Sequence, residues 1–343
     1  MPWEEVKRFC STSGTTGFPE LHPLTREDFE QGCVQNVCRA FWAIGLRPSD
    51  KVQNLTPFTC LTLICETLGA GVLGDQVGRG NFDHQIMLAN IGNVSVLMQL
   101  PSLVFNYFER AKELGIDIKK SKIRLILGLG EAWAESYRRK IEADYGVTFS
   151  NAWGLSEAGE IAFECQYKGG MHIGSDRHIL EVIDPETGEV VEPGQEGEFV
   201  ITNFFRKAVP KIRFRTSDIG KILPYEPCPC GRTLPKMSMI KGRMPQIINV
   251  KGKRFFPVDV EEVVGSIPGL GYEYQIMLEK PEEQERLKVR AEYIPEVENV
   301  AALRKQLEEE LCQRLNVESE VELVPKGSIK PSLFKAQRVV TEF

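Results

Sequence analysis

The sequence predicts an α/β protein: a large N-terminal α/β domain with a β-rich subdomain, followed by a small C-terminal α+β domain. Three observations support this. Between residues 50 and 151, apolar strand-like runs alternate with helix-period segments, the pattern of a parallel sheet covered by helices. From residue 179 the texture becomes short apolar runs separated by turn-rich spacers such as Pro185-Glu186-Thr187-Gly188. Near Arg243 it changes again, to a helix, two strands, a long helix and a strand. The expected domains are therefore residues 1–243 and 244–343, the second of ordinary size for one domain.

In order, residues 25–46 read as an amphipathic helix. Thr25 caps it, Asp28 stands in capping-box position, and Phe29, Cys33, Val37, Ala40 and Ile44 form its apolar face. Residues 50–57 suggest a short buried strand, and a Gly/Leu-rich segment runs on to Gly80. Strands are expected at 94–98, 123–127 and 147–151, with helices at 101–114 and 133–145. Gly130-Glu131 and residues 151–157 then fall at strand ends, where ligands of such sheets bind. In the β-rich part, strands are expected at 180–184, 197–201 and 212–216. The C-terminal domain should hold helices at 258–264 and 300–315 and strands at 274–278, 287–293 and 320–324.

Composition narrows the function classes. The net charge is -6, from 42 basic and 48 acidic residues, and no basic run interleaves with aromatics, so no nucleic-acid partner is expected. The start, Met1-Pro2-Trp3-Glu4-Glu5, lacks the basic and apolar parts of a signal peptide. The apolar run near 61–73 is too short for a membrane span and carries Glu66, Gly69 and Gly71, so no membrane partner is expected. Nine cysteines, an odd number at irregular spacing, argue against a disulfide framework and for a cytoplasmic setting.

Two local patterns carry chemistry. In Ser11-Thr12-Ser13-Gly14-Thr15-Thr16-Gly17-Phe18-Pro19, five hydroxyl residues surround two glycines, so hydroxyls and backbone N–H groups can wrap phosphate oxygens. A polar surface turn is the structural alternative. Cys165, His172, Cys228 and Cys230 offer three thiols and an imidazole, a closed tetrahedral set for structural zinc. Buried free thiols are the alternative there.

Six segments stand in order along the chain: residues 11–19, Gly130-Glu131, residues 151–157, residues 213–218, Gly242-Arg243 through Gly252, and Lys335. Together they resemble the acyl-adenylate-forming enzymes. Glu164-Cys165, His172, Ile183-Asp184-Pro185, residues 230–233 and Phe256-Pro257 with Glu261-Glu262 are most similar to the phenylacetate–CoA ligase branch. The resemblance covers nearly the whole chain. It implies a mobile C-terminal domain and a ligase using ATP, Mg²⁺ and CoA on a small-molecule carboxylic acid. By the same resemblance, Ser13, Gly14, Thr15, Thr16 and Gly17 hold the β- and γ-phosphates and Glu157 binds Mg²⁺. Asp218 accepts the ribose hydroxyls, while Gly130, Glu131, Asn151, Trp153, Gly154 and Arg243 complete the nucleotide site. Lys335 stabilises charge during adenylation, and Phe58, Thr59 and Cys60 line the acyl pocket. The structural alternatives are a turn residue at Asp218, a helix cap at Glu157, a core ring at Trp153 and a solvated charge at Lys335.

The chain departs from the branch at several points. Phe18 stands where the family loop has lysine, which removes a cation near the phosphates. Trp153 replaces a tyrosine, and a polar, Gly-containing approach to the lysine is replaced by Ser332-Leu333-Phe334. Pro245 occupies the pivot of the mobile domain, where its ring fixes φ. The family carries a further N-terminal region ahead of the loop, and without it a homodimer is expected to bury the exposed apolar surface. Three functions fit: an aryl or arylacetic acid–CoA ligase, an adenylating enzyme with a non-CoA acceptor similar to the synthetases that adenylylate a deazaflavin, and a non-catalytic nucleotide binder.

Overall fold

The computed structural model describes residues 3–11, 18, 20–58, 60–73, 81–279, 284–330 and 335–341. Its centre is an eight-stranded sheet in the order Lys236–Met237, Met171–Ile173, Gly159–Phe163, Thr148–Leu155, Leu125–Leu129, Val96–Gln99, Lys51–Asn54, Gly71–Val72. The five strands from Thr148–Leu155 to Gly71–Val72 run parallel, and the other three extend the sheet antiparallel.

The two central parallel strands read as apolar runs, Val96-Leu97-Met98 and residues 125–129, because both of their faces are covered. Val96, Met98, Leu125 and Leu127 pack on one side with Ala40, Phe41 and Ile64. Leu97, Ile126 and Phe149 pack on the other with Tyr107, Phe108 and Ile141. Successive residues thus alternate between two helical layers, as the pleat requires.

The first helical stretch starts where expected. Asp28 Oδ2 accepts the Thr25 N–H and Thr25 Oγ1 accepts the Asp28 N–H, each at 3.0 Å, which is the capping box. Its first part, Asp28–Val34, is wound as a wider π-helix before Gln35–Ile44 continues as α-helix. Phe29, Val37, Ala40 and Ile44 are buried. Helices Pro101–Glu113 and Glu135–Tyr145 agree with expectation. Two helices were not anticipated, Cys60–Thr67 and Phe82–Ile91.

A second sheet, antiparallel in the order His178–Ile183, Gly197–Asn203, Phe214–Gly220, Gly242–Arg243, forms the β-rich part. Its third strand lies a few residues later than the 212–216 run suggested. In the C-terminal part, strands Ser319–Pro325, Leu287–Tyr293, Leu270–Leu278 and Val339–Thr341 form one sheet, with helices Pro257–Ser266 and Val300–Leu315 packed on it. Among the described residues this core draws on those from Ile248 onward, with Val260, Val263, Leu307 and Leu311 meeting Tyr274, Ile276 and Val289.

The C-terminal part is docked on the first by charged caps and rings. Glu261 accepts the Ala134 N–H at 2.8 Å and Glu262 accepts the Ser136 N–H at 2.7 Å, satisfying free donors at the start of helix Glu135–Tyr145. Tyr272 stacks on Phe105 at 3.6 Å between ring centroids and donates to Asp144 at 2.9 Å. Pro245 lies in the short 3₁₀ turn Met244–Gln246 between the two parts. Among the described residues no helix is long and apolar enough to cross a membrane.

Candidate functional site

The hairpin Val6–Ser11 with Leu21–Thr25 closes at the pair Ser11↔Leu21, so the phosphate-type loop springs from its end. Ser13, Gly14, Thr15, Thr16 and Gly17 lie outside the described residues, as does Thr59. Phe18 is described and is 97% exposed. The feet of the loop are tied to the turn that carries Glu157. Ser156 Oγ donates to the Ser11 carbonyl at 2.9 Å, and His22 Nε2 lies 3.9 Å from Glu157 Oε1. Among the described residues, His22 is the only positively ionisable group within 4.0 Å of Glu157. No helix follows Glu157. The chain turns back into strand Gly159–Phe163, so the helix-cap alternative falls away.

Asn151, Trp153 and Gly154 lie within strand Thr148–Leu155, which runs past the expected end at 151. Gly154 has a packing reason: a Cβ there would sit 2.7 Å from the Gly159 carbonyl. The Asn151 N–H donates to Glu164 at 2.8 Å, and its side chain faces Met239 sulfur at 3.4 Å. Trp153 is buried in a core with Phe199, at 5.2 Å between centroids, and its indole N–H donates to Asp218 Oδ2 at 3.2 Å. The Asp218 carboxylate also accepts from Arg243 Nε at 3.0 Å, from the neighbouring strand to which Asp218↔Arg243 belong. Burial raises the Asp218 pKa, and Arg243 and the indole N–H offset part of that. Each oxygen has one strong donor here, and a carboxylate oxygen can accept two.

Glu131 joins three segments. Gly130, at φ +86°, turns the chain at the end of strand Leu125–Leu129, and a Cβ there would press on the Phe58 ring at 3.2 Å. Glu131 then accepts from Ser102 N–H and Oγ, both at 3.0 Å, at the start of helix Pro101–Glu113. Its Oε1 also accepts the Ala336 N–H at 2.7 Å. That bond draws the residue after Lys335 into the cleft. Lys335 is half-buried, and burial lowers its pKa below the ordinary lysine value; Glu131 and Asp218 oppose the shift and Arg243 adds to it. Lys335 is therefore not a solvated surface charge. Cys60 opens helix Cys60–Thr67, and Phe58 and Cys60 both pack at the edge of the core beneath it.

The structure thus brings Glu131, Trp153, Asp218, Arg243 and Lys335 around one cleft, with Gly130 and Phe58 at its wall. His22, Ser102, Ser156 and Arg206 also face this region, and sequence reasoning missed them. Only His22 had a local signal, as part of the strand directly after the loop.

The cysteine set lies apart, at the far edge of the large sheet. The ligand atoms of Cys165, His172, Cys228 and Cys230 all lie within 4.8 Å of one another. Cys165 and Cys228 sulfurs are 3.7 Å apart, and Cys230 Sγ is 3.3 Å from His172 Nε2. His172 Nδ1 faces the Leu234 carbonyl at 3.5 Å, which leaves Nε2 turned to the thiols.

The family model of AMP-binding enzymes matches residues 5–204, and that of the AMP-binding enzyme C-terminal domain matches residues 252–342. A phenylacetate–coenzyme A ligase of Aromatoleum evansii is 30% identical over 356 residues, covering 99% of this chain and 79% of that protein. The crystal structure of 2-hydroxyisobutyryl-CoA ligase in its postadenylation state, in complex with R3-HIB-AMP, superposes at a TM-score of 0.90 and 24% identity, covering 100% of this chain and 75% of that one. The same ligase in its thioesterification state, with 2-HIB-AMP and CoA, gives 0.67 at 25% identity, covering 99% and 75%. The chain belongs to the AMP-binding enzyme family, in the phenylacetate–CoA ligase branch of the acyl-adenylate-forming enzymes, a group of AMP-forming acid–CoA ligases.

Proposed function

We propose that the chain is an ATP-dependent, AMP-forming ligase that activates an aryl or arylacetic acid and passes the acyl group to CoA. The acid carboxylate attacks the α-phosphorus, the bond to the β-phosphate oxygen breaks, and pyrophosphate leaves with its electron pair. The CoA thiol then displaces AMP from the acyl-AMP. The observation that carries this reading is the gathering of Lys335, Asp218, Arg243 and Glu131 in one cleft through the Glu131–Ala336 bond.

In this reading Asp218 takes the ribose hydroxyls on its remaining lone pairs, and Arg243 and Trp153 hold it in place. The loop residues Ser13, Gly14, Thr15, Thr16 and Gly17 cradle the outer phosphates. Gly130, Glu131, Asn151, Trp153 and Gly154 shape the nucleotide wall, and Phe58, Thr59 and Cys60 line the acyl pocket. Glu157 suits Mg²⁺, because among the described residues no hydrogen bond occupies its carboxylate and a hard ion prefers such oxygens. The bound ion would neutralise phosphate charge there. The domain boundary falls at Arg243–Met244, where the 3₁₀ turn with Pro245 links the two cores. Exposed Phe9 and Leu21 on the first hairpin, with Trp3 in the turn just before it, offer the surface for a homodimer. All nine cysteines are free, which suits a cytoplasmic enzyme.

The test is a panel of aromatic and aliphatic acids scored for AMP release with and without CoA. Aromatic acids should give pyrophosphate in all cases and AMP only with CoA. Pyrophosphate without CoA-dependent AMP release would identify another acceptor, and no acid-dependent pyrophosphate would sink the ligase reading.

The cysteine set is proposed to hold a structural zinc. A Zn–S length of about 2.3 Å puts two tetrahedral sulfurs about 3.8 Å apart. The 3.7 Å Cys165–Cys228 spacing meets that figure. Metal analysis should find one zinc per chain, and Cys228→Ser should lose it along with thermal stability. Less than a tenth of an equivalent in protein purified without chelator removes the proposal.

A further inference from the structure

We propose that Arg338 is a positioning residue for the adenylation step, setting where Lys335 stands in the cleft without touching substrate itself. This rests on the adenylating function proposed above.

Arg338 follows Lys335 by three positions and leads into strand Val339–Thr341, where its carbonyl accepts the Ile276 N–H at 2.7 Å. Its side chain is 10% exposed. Groups from helix Pro257–Ser266 and strand Leu270–Leu278 surround it. Nη1 donates to Glu273 Oε2 at 2.5 Å, and Nη2 lies 3.9 Å from Glu261 Oε1. The guanidinium also covers the Tyr274 ring, 4.6 Å from its centroid. A cation between two carboxylates in a poorly hydrated place is a fixed arrangement, because withdrawing it leaves both anions uncompensated.

Both carboxylates also reach the large domain. Glu261 Oε2 accepts the Ala134 N–H at 2.8 Å, and Glu273 Oε1 accepts from Asn106 Nδ2 at 3.4 Å. Asn106 stands on helix Pro101–Glu113, one turn after Ser102, the residue that Glu131 binds. Glu131 in turn holds the Ala336 N–H.

The segment 336–338 is thus tied at its two ends to successive turns of one helix. Glu131 makes the tie at Ala336, and Glu273 makes it at Arg338. The spacings agree: a helical turn rises about 5.4 Å, and two residues of extended chain span about 6.6 Å. A segment held at both ends neither slides nor swings, so Lys335, one residue before Ala336, has a fixed origin. Loss of the guanidinium cuts the second tie to the helix, while the pairing of Val339 with Ile276 stays.

The test reads the position of Lys335 and the two half-reactions in Arg338→Met, in the whole chain. Position is read without turnover, as the rate of acetylation by acetic anhydride mapped by mass spectrometry. A chain lacking ligase activity still answers that question, so the two proposals fail separately. Lys140 is the internal reference, because it is half-buried at the same interface and donates to the Leu270 carbonyl at 2.6 Å. Lys335 should be acetylated about 10-fold faster in the variant, as expected for a local opening, with Lys140 unchanged. With the panel acid that gives pyrophosphate, acyl-AMP formation should fall about 10- to 100-fold, the cost of misplacing a reacting group by about 1 Å. Thioester formation from supplied acyl-AMP should stay within about twofold of wild type, because it does not use the Lys335 ammonium on phosphate. Arg338→Lys keeps the charge and loses the planar fork, so it should fall between the two. If Arg338→Met yields no folded protein, Glu273→Gln, which keeps the size and removes the charge, is read in the same way. Lys335 acetylation within about twofold of wild type overturns the proposal. Equal exposure of Lys335 and Lys140 also overturns it, because Arg338 would then only hold the domains together. So does an equal fall in both half-reactions.

Discussion

Lys335→Ala is expected to slow acyl-AMP formation by about 10²–10³-fold, the usual cost of removing one positioned electrostatic group. The geometry gives the reason. Glu131 binds the Ala336 N–H while it also caps helix Pro101–Glu113 through Ser102, so the backbone beside Lys335 is tied to the end of strand Leu125–Leu129 and the start of that helix. The ammonium then lies in the field of Glu131, Asp218 and Arg243. Negative charge accumulates on the phosphates as the carboxylate attacks, and a cation held in place there costs no reorganisation. Thioester formation from supplied acyl-AMP involves no phosphate transfer and should change only a few-fold. Burial lowers the Lys335 pKa, so the wild-type ammonium loses its proton at a lower pH than a free lysine. Adenylation should therefore decline on the alkaline side as pH rises through that lowered pKa, and this limb should vanish in the variant. Rapid-quench measurement of each half-reaction across pH tests both points. An adenylation rate within a few-fold of wild type excludes Lys335 from the chemistry.

Glu164→Ala is expected to destabilise the large domain by about 3–5 kcal/mol, the range for breaking a buried ion pair from one side. Arg138 and Glu164 side chains are 2% and 1% exposed and meet in two bonds of 3.1 and 2.8 Å. Glu164 also accepts the Asn151 N–H, so the pair pins the strand that leads to Trp153. Removing the carboxylate strands a guanidinium in the core, where Glu135 at the rim, the Met239 sulfur at 4.0 Å and the Trp133 face at 4.8 Å are its remaining partners among the described residues. The double variant Arg138→Met with Glu164→Met should be less damaging than Glu164→Ala, because no charge is left unpaired. Denaturant unfolding followed by tryptophan emission tests this, with the large domain's own transition taken as the signal because two domains need not unfold together. A loss below about 1 kcal/mol would show that Arg138 finds water or another partner.

Much of the fold was legible where burial is two-sided and periodicity is clean. Strands Val96–Gln99, apolar up to its last residue, and Leu125–Leu129 stand out as apolar runs, and helix Val300–Leu315 matches its expected bounds. The Thr25–Asp28 capping box marked a helix start correctly. Helix Phe82–Ile91 was missed because its faces are mixed: Gln85 is buried while Met87 and Ile91 are exposed. Helix Cys60–Thr67 was hidden by its brevity: in eight residues with only Thr62, Glu66 and Thr67 polar, two turns are too few for a period to stand out. Strand Gly159–Phe163 went unseen because a helix was entertained after Glu157.

By itself, then, the sequence determined the α/β class and the order of the adenylate-forming segments. These are properties of residue type and spacing along the chain. Tertiary structure alone decided which of them meet and in what electrostatic state. Glu131 proved to be the residue that ties Lys335 to the cleft, 204 positions away in the chain by the difference of their numbers. Arg206 proved to be a buried cation with no carboxylate within 4.0 Å among the described residues, in a segment whose Lys207 and Ala208 N–H groups bind Asp28. Nothing local announces either fact, because a charge's partner and its distance from water are set by packing between segments remote in sequence.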